Sequence, residues 1–170
     1  MSGRGREGLA LGLALLGMAC GPAPGQGPSA FKVEGSAAAL DLLAGFQITV
    51  MTEPVPVVCS QVIQKCLNQS IFYSPANLVK LTGPDGAPHD ALYVPKSLDA
   101  NGNQPFMLKG IPPGVNDAIV VEALTTGTPP QFLGSFCGIQ DRIARGANTA
   151  SFTATLTLLA APNPCNPTIP

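Results

Sequence analysis

The sequence FMLKGIPPGVNDAIVVEAL, at residues 106–124, contains the signals that decide the fold. Its first four residues (106–109) alternate in the manner of a strand with one buried face. Residues 110–114, Gly-Ile-Pro-Pro-Gly, then interrupt the run, because proline fixes φ and glycine accepts positive φ. Residues 119–124 are β-branched and apolar, with Glu122 as their only charge. The stretch therefore predicts a strand, a tight turn and a second strand that fold over one hydrophobic core.

The composition favours short strands joined by turns. The 170 residues are enough for one domain, or for one domain with tails. Only 11% of the residues are charged, whereas Gly 19 and Pro 18 are numerous, and proline breaks helices but is tolerated in turns. The net charge of −1, without a cluster of Lys and Arg, argues against binding to nucleic acid. The lack of Trp also leaves few aromatic platforms for sugars or bases.

Further strands are predicted on both sides of the central stretch. Residues 45–51 predict a strand because the apolar residues at 46, 48 and 50 alternate with the residues between them. Residues 151–159 give the clearest alternation, with Phe, Ala and Leu on one face and Ser and Thr on the other. Residues 131–138 predict a strand with Phe132 and Phe136 on one side. Shorter strands are predicted at residues 31–35, 77–81 and 91–94, turns at 82–88 and 97–103, and about two helical turns at 37–44.

These elements predict an all-β fold. Six to eight short strands at this spacing favour a β-sandwich of about seven strands. One short helix is expected between the strands, at residues 59–68, because Cys59, Val62, Ile63 and Cys66 occupy one helical face at i, i+3, i+4 and i+7.

The cysteines predict two disulfides. With Cys20 set aside, Cys59, Cys66, Cys137 and Cys165 form an even set in a chain that carries export signals. The ends of a helix from Cys59 to Cys66 lie about 10 Å apart, whereas a disulfide needs Cα atoms within roughly 7 Å. We therefore expect each of these two cysteines to bind a distant partner, one Cys137 and the other Cys165, in either combination.

Part of the chain resembles a known family of domains. ANLVKL at residues 76–81, LDANG at 98–102 and FMLKGIPPG at 106–114 occur in the order of the carboxypeptidase regulatory-like domain, which belongs to the transthyretin-like (prealbumin-like), Ig-like sandwiches. Gln104 and Pro105 are additional to the family pattern, and the tyrosine usual after the last glycine of this motif is absent. The resemblance covers residues 76–124 and implies a sandwich that acts as a structural, ligand-binding or accessory module, without catalytic residues.

The N-terminus has the features of an export signal. Arg4 and Arg6 precede an apolar run at residues 9–19, which as a helix would be roughly 16 Å long and too short to cross a membrane. Ala19 and Cys20 resemble the lipobox of bacterial lipoproteins, although Gly17 stands where that family usually has Leu. The resemblance implies cleavage after residue 19 and a lipid, such as palmitate, on Cys20. The alternative is ordinary secretion with cleavage near Ala19 or Ala23.

Four segments follow from this interpretation. Residues 1–19 are the signal peptide, residues 20–30 a flexible Gly/Pro linker, residues 31–160 the β-sandwich domain and residues 161–170 a Pro-rich tail. In Gram-negative lipoproteins, a residue other than Asp after the lipidated cysteine, here Gly21, resembles the signal for the outer membrane. We therefore expect an outer-membrane lipoprotein that faces the periplasm or the cell surface.

Candidate catalytic and metal-binding residues are few. His89 is the only histidine, and its Ala-Pro-His-Asp context predicts an exposed turn rather than a Ser-His-Asp triad. Asp99, Asn101 and Asn103 alternate as in a calcium loop, but no Glu closes that loop and turn chemistry explains the pattern. No G-x-S-x-G motif or phosphate-binding glycine loop occurs. The sequence therefore predicts no catalytic residue, no metal and no cofactor.

Two functional hypotheses follow. The first is a non-catalytic cell-envelope lipoprotein, held to the membrane by its lipid anchor, that binds an envelope protein or a polysaccharide or has a structural role. The second is a secreted hydrolase or carrier domain with a site that the sequence does not identify, although enzymes usually concentrate titratable groups in a cleft.

Overall fold

The computed structural model describes residues 29–52, 57–109, 111, 117–140 and 153–169. The predicted signal peptide, Cys20 and all but the last two residues of the predicted linker lie outside these residues. So do most of the turn predicted at 110–114, residues 141–150 and the first two residues of the strand predicted at 151–159. Within the described part of the chain, no helix combines the length and hydropathy needed to cross a membrane.

The described elements are mainly strands. Two short α-helices, α1 (Ala37–Leu42) and α2 (Cys59–Val62), and two 3₁₀ turns, Leu67–Gln69 and Pro75–Asn77, lie between them. The strands are β1 (Ser29–Glu34), β2 (Leu43–Thr52), β3 (Leu81–Thr82), β4 (Pro88–His89), β5 (Leu92–Pro95), β6 (Asn103–Phe106), β7 (Asp117–Thr125), β8 (Phe132–Gln140) and β9 (Thr153–Thr157). The fold is therefore all-β, as predicted.

The strands form two larger sheets and one small hairpin. One sheet has the order β6-β1-β9, in which β1 runs antiparallel to β6 and parallel to β9. The other has the order β5-β2-β7-β8 and is antiparallel throughout. The two-residue strands β3 and β4 pair with each other. One hydrophobic cluster joins the two larger sheets, and its members include Phe31, Val33, Phe46, Ile48, Val50, Phe106, Ile119, Val121 and Leu156.

The stretch at 106–124 connects these two sheets. Its first residues alternate as predicted, since Phe106 and Leu108 are buried whereas Met107 is 53% exposed. The first of the two predicted strands corresponds to β6, which begins at Asn103 and ends at Phe106. It lies earlier in the chain than predicted because β1 pairs with residues 103–106. β7 lies in the other sheet, so the two predicted strands contact one core from opposite sides.

The first 24 described residues form elements that the sequence predicted. β1 covers residues 31–34 of the strand predicted at 31–35, and α1 covers most of the helical turns predicted at 37–44. The hydroxyl oxygen of Ser36 accepts a hydrogen bond of 3.2 Å from the Ala39 amide and so caps the helix at its N-terminus. β2 follows directly and includes the strand predicted at 45–51.

The helix predicted at 59–68 is wrong in length. The helix α2 ends at Val62, and Gln64 has a φ of 65°, which a continuing helix excludes. The Gln64 amide donates to the hydroxyl oxygen of Ser135 on β8, at 3.0 Å. The chain then turns again at Leu67, so the segment follows the sheet surface instead of extending away from it as a straight helix.

Two further predictions need correction. Residues 77–81 contain no regular strand before β3. After the 3₁₀ turn that starts at Pro75, the described bonds to β2 are one bridge at Leu78, one backbone hydrogen bond from Val79 and one from the Thr52 hydroxyl to the Asn77 carbonyl. Phe132 and Phe136 lie on opposite faces of β8. The register between β7 and β8 shifts between Ala123 and Leu124. Leu133 is therefore an extra residue on β8 between Phe132 and Phe136.

Candidate functional site

Two disulfides attach distant segments to the outer face of the four-stranded sheet, which is the face turned away from the β6-β1-β9 sheet. Cys59 bonds Cys137 on β8, with their Cα atoms 5.2 Å apart, and Cys66 bonds Cys165, with their Cα atoms 6.5 Å apart. The prediction of two long-range bonds is therefore confirmed. The pairing that the sequence left open is Cys59 with Cys137 and Cys66 with Cys165.

A buried pair of side chains, Gln47 and Glu122, lies between these two disulfides. The two residues are directly opposite each other on β2 and β7, and the Gln47 amide nitrogen donates to a Glu122 oxygen at 2.9 Å. The other Glu122 oxygen accepts the Leu67 amide at 2.8 Å. Gln47 also donates to the Pro167 carbonyl at 2.9 Å and accepts the Ile169 amide at 3.0 Å. We call this set of bonds the clasp, because it holds both the segment at 57–79 and the C-terminal tail.

Opposing effects act on the carboxyl group of Glu122. It is fully buried, and burial raises its pKa to about 7, since removal from water disfavours the charged form. The hydrogen bonds from the Leu67 amide and the Gln47 side chain lower the pKa, because donors stabilise a carboxylate. Each carboxyl oxygen faces a donor, so protonation at either oxygen removes one acceptor from the clasp.

A cleft of about 430 Å³ lies beside the clasp on the same face of the sheet. This volume is within the range of roughly 300–1,000 Å³ that is typical of small-molecule sites. We call it the first cleft. Among the described residues its lining includes no charged side chain, and it contains both apolar and hydroxyl groups: Ala44, Leu124, Ile169, Thr125, Thr126 and Thr168. Gln47 also lines the first cleft, so the clasp positions the tail residues that form one of its walls.

Tyr93 on β5 borders the first cleft and also a second one. The second cleft, of about 320 Å³, lies between β5, Met107 and Pro84. The phenol of Tyr93 donates to the Ala44 carbonyl at 3.3 Å, and the residue is 55% exposed. A Cβ atom on Gly45 would stand 2.6 Å from the Tyr93 hydroxyl oxygen, so this ring position requires glycine at 45.

His89 lies in β4, at the end of the hairpin with β3, rather than in a turn. Its Nε2 is 2.9 Å from one Asp85 oxygen and 3.0 Å from the other, and both side chains are substantially exposed. The hydrogen bond from His89 holds the pKa of Asp85 below its usual value. The pair stabilises the hairpin turn, and the described hydrogen bonds of His89 include no serine or cysteine that it could activate as a nucleophile.

The alternating oxygens at Asp99, Asn101 and Asn103 form a turn, as the sequence predicted. The carboxylate of Asp99 accepts the Asn101 and Asn103 amides, each at 2.8 Å, and the Asn103 side-chain amide at 2.9 Å. These donors lower the pKa of Asp99. Nowhere in the described chain do three or more His, Cys, Asp or Glu residues come close enough together to hold a metal ion.

Asp117 is a second buried carboxyl group, at the first position of β7. It is fully buried between Thr52 on β2 and Gln140 on β8 in the sheet register, and burial raises its pKa to about 6. Its two oxygens have no hydrogen-bond partner among the described residues. Its uncharged form is therefore favoured more strongly in the fold than in the unfolded chain.

The sequence did not identify Gln47, Glu122 or Tyr93 as site residues. One signal was available: Glu122 is the only charge in an apolar strand, and such a charge needs partners if the strand is central. The partners themselves come from residues 67 and 167–169, and no sequence periodicity connects those positions to β7.

Comparisons with protein-family models, with curated proteins and with solved structures gave no match to this chain. The resemblances to bacterial lipoproteins and to the carboxypeptidase regulatory-like domain therefore remain predictions from the sequence.

Proposed function

We propose that this chain is a non-catalytic lipoprotein of the cell envelope, whose β-domain binds an envelope component. Cys20 is the observation that carries the proposal. Four of the five cysteines are consumed in two disulfides, which is typical of chains folded in an oxidising compartment. Cys20 is the fifth, and it stands directly after the apolar run at residues 9–19.

The proposed fold is a transthyretin-like β-sandwich. Its support is the pair of larger sheets that share one hydrophobic cluster, together with the predicted motif at 76–124. The clefts on both sides of Tyr93 favour a binding role over a purely structural one. In this proposal residues 20–30 act as a tether between the lipid and the domain.

Intact mass measurement of the protein from a Gram-negative host tests the anchor. The expected mature chain begins at Cys20, carries the added mass of a diacylglycerol and a fatty acid, and is recovered with the outer membrane. The Cys20→Ser variant should lack that mass and leave the membrane fraction. A soluble mature protein in which Cys20 is unmodified or missing would contradict the proposal and support the alternative, a secreted carrier domain that uses the same clefts.

A further inference from the structure

We propose that the two clefts beside Tyr93 bind an uncharged oligosaccharide, with a sugar ring stacked on Tyr93 and sugar hydroxyl groups bonded to Thr126 and Thr168. This inference rests on the proposed binding function and names the class of ligand. The site is built from three features: an anchored aromatic ring, hydroxyl groups beside it, and the absence of charged side chains among the described residues that line the first cleft.

The aromatic ring is exposed and held in place. Its hydroxyl end lies over Gly45 and is bonded to the Ala44 carbonyl, so little side-chain freedom remains to be lost on binding. An exposed aromatic side chain that already has a fixed position is a suitable surface for the apolar C–H face of a sugar. Tyr93 is a lining residue of both clefts, so a ligand in either cleft lies beside it.

Hydroxyl groups of the first cleft supply the polar contacts. The side chains of Thr126 and Thr168 line the cleft, both residues are exposed, and their hydroxyls have no hydrogen-bond partner among the described residues. Each hydroxyl can donate one hydrogen bond and accept others, which matches the mixed donors and acceptors of a sugar. Leu124 and Ile169 add apolar surface beside them.

Charge and backbone geometry disfavour two other ligand classes. An ionic ligand would find no opposite charge among the described residues of the first cleft, and Lys109 is the single charge recorded in the second. A peptide that extends the sheet would need free backbone groups along the edge of β5. Pro95 has no amide hydrogen, and its carbonyl already accepts the Gln104 side chain at 3.3 Å.

Titration calorimetry of the mature, disulfide-bonded protein tests the inference with defined probes. The uncharged sugars are maltohexaose, cellohexaose and chitohexaose; the comparison probes are a hyaluronan hexasaccharide and an uncharged Gly/Ser/Thr decapeptide. At least one uncharged sugar should bind with a Kd below about 1 mM. In amide-resolved NMR, the shifts should concentrate at residues 44, 93, 126 and 168.

Three variants locate the binding. Tyr93→Ala should weaken binding about tenfold, which is the size expected for loss of an aromatic contact of about 1.4 kcal/mol. Tyr93→Phe retains the ring but loses the hydrogen bond to the Ala44 carbonyl, so its affinity should lie between that of Tyr93→Ala and that of the unchanged protein. Ile71→Ala alters an exposed apolar residue that lines neither cleft, and it should leave the affinity unchanged.

Several results would overturn the inference: no binding of any of the three uncharged sugars, equal or tighter binding of the charged sugar or the peptide, or equal affinity in Tyr93→Ala and the unchanged protein. These results are separable from the test of the anchor. If the protein is lipidated but binds no sugar, only the sugar-binding inference is contradicted. If it is soluble but binds sugar through Tyr93, only the proposed lipid anchor is contradicted.

Discussion

The two faces of the four-stranded sheet are stabilised by different physics. On the inner face, Phe46, Ile48 and Val50 of β2 are fully buried against apolar side chains of the other sheet. On the outer face, the alternate residues Gln47 and Thr49 are buried as well, under the segment at 57–79 and the C-terminal tail. β2 thus contributes to an apolar core on one side. On the other side it contacts polar, disulfide-bonded segments that cover the sheet.

Irregular segments cover the outer face of this sheet without a second sheet. Apolar burial is non-directional, so the inner face needs only hydrophobic residues of suitable volume. The segments on the outer face have little regular structure, and their backbone groups require partners when they are buried. Gln47 and Glu122 provide those partners, and the disulfides fix the segments in place.

The largest expected effect on the free energy of unfolding comes from removal of a disulfide on the outer face. The Cys66→Ala/Cys165→Ala variant should lose about 4 kcal/mol of unfolding free energy, because the remaining disulfide shortens the loop that this bond closes to roughly 35 residues. Urea denaturation measures the loss, and the double variant avoids an unpaired thiol. A loss below about 1 kcal/mol would show that the clasp alone holds the tail.

A cavity in the inner face should have a somewhat smaller effect. Ile48→Ala removes fully buried methyl groups from the shared core and should lower the unfolding free energy by about 3 kcal/mol, equally at pH 5 and pH 7.5. The adjacent outer-face variant, Thr49→Val, is the matched control. Among the described residues, the Thr49 hydroxyl makes one long hydrogen bond, of 3.5 Å to the Val120 carbonyl, so the loss of unfolding free energy should stay below about 1 kcal/mol. Similar losses in both variants would mean that the two faces do not differ in this way.

The smallest expected effect is a dependence of stability on pH that comes mainly from Glu122 on the outer face. The pKa of Glu122 rises from 4.5 to about 7 on folding, so the folded chain retains a proton that the unfolded chain has released. The contribution of Glu122 to stability is therefore fully present below about pH 4.5 and falls by about 2–3 kcal/mol as the pH rises through 7.

The variants Glu122→Gln and Asp117→Asn separate the two buried carboxyl groups. The pKa of Asp117 also rises, from 3.8 to about 6, so this residue contributes in the same direction at lower pH. Urea midpoints between pH 4 and 8 should fall less steeply in each variant, with Glu122→Gln flattening the range above pH 6. An unchanged slope in Glu122→Gln would show that this residue does not titrate within the range.

The sequence by itself determined the class of the fold and much of its inner face. Alternation at 46, 48 and 50 identified the buried side of β2, because a strand with an apolar core face repeats every two residues. It also determined that the disulfides join distant segments, since seven residues of helix or strand separate Cys59 from Cys66 too far for a local bond. The prediction of distant partners is confirmed although the helix on which it rested is wrong, since α2 is only four residues long and ends before Cys66.

Only the tertiary structure decided what covers the outer face. The pairing of Cys66 with Cys165, the clasp around Glu122 and the ring of Tyr93 over Gly45 all join residues that are far apart in the chain. Such contacts have no period and no local signature, because each depends on how irregular segments return to the sheet. The opposite orientations of Phe132 and Phe136 have the same origin: an extra residue in β8 shifts the register, and the alternation of residue types does not reveal it.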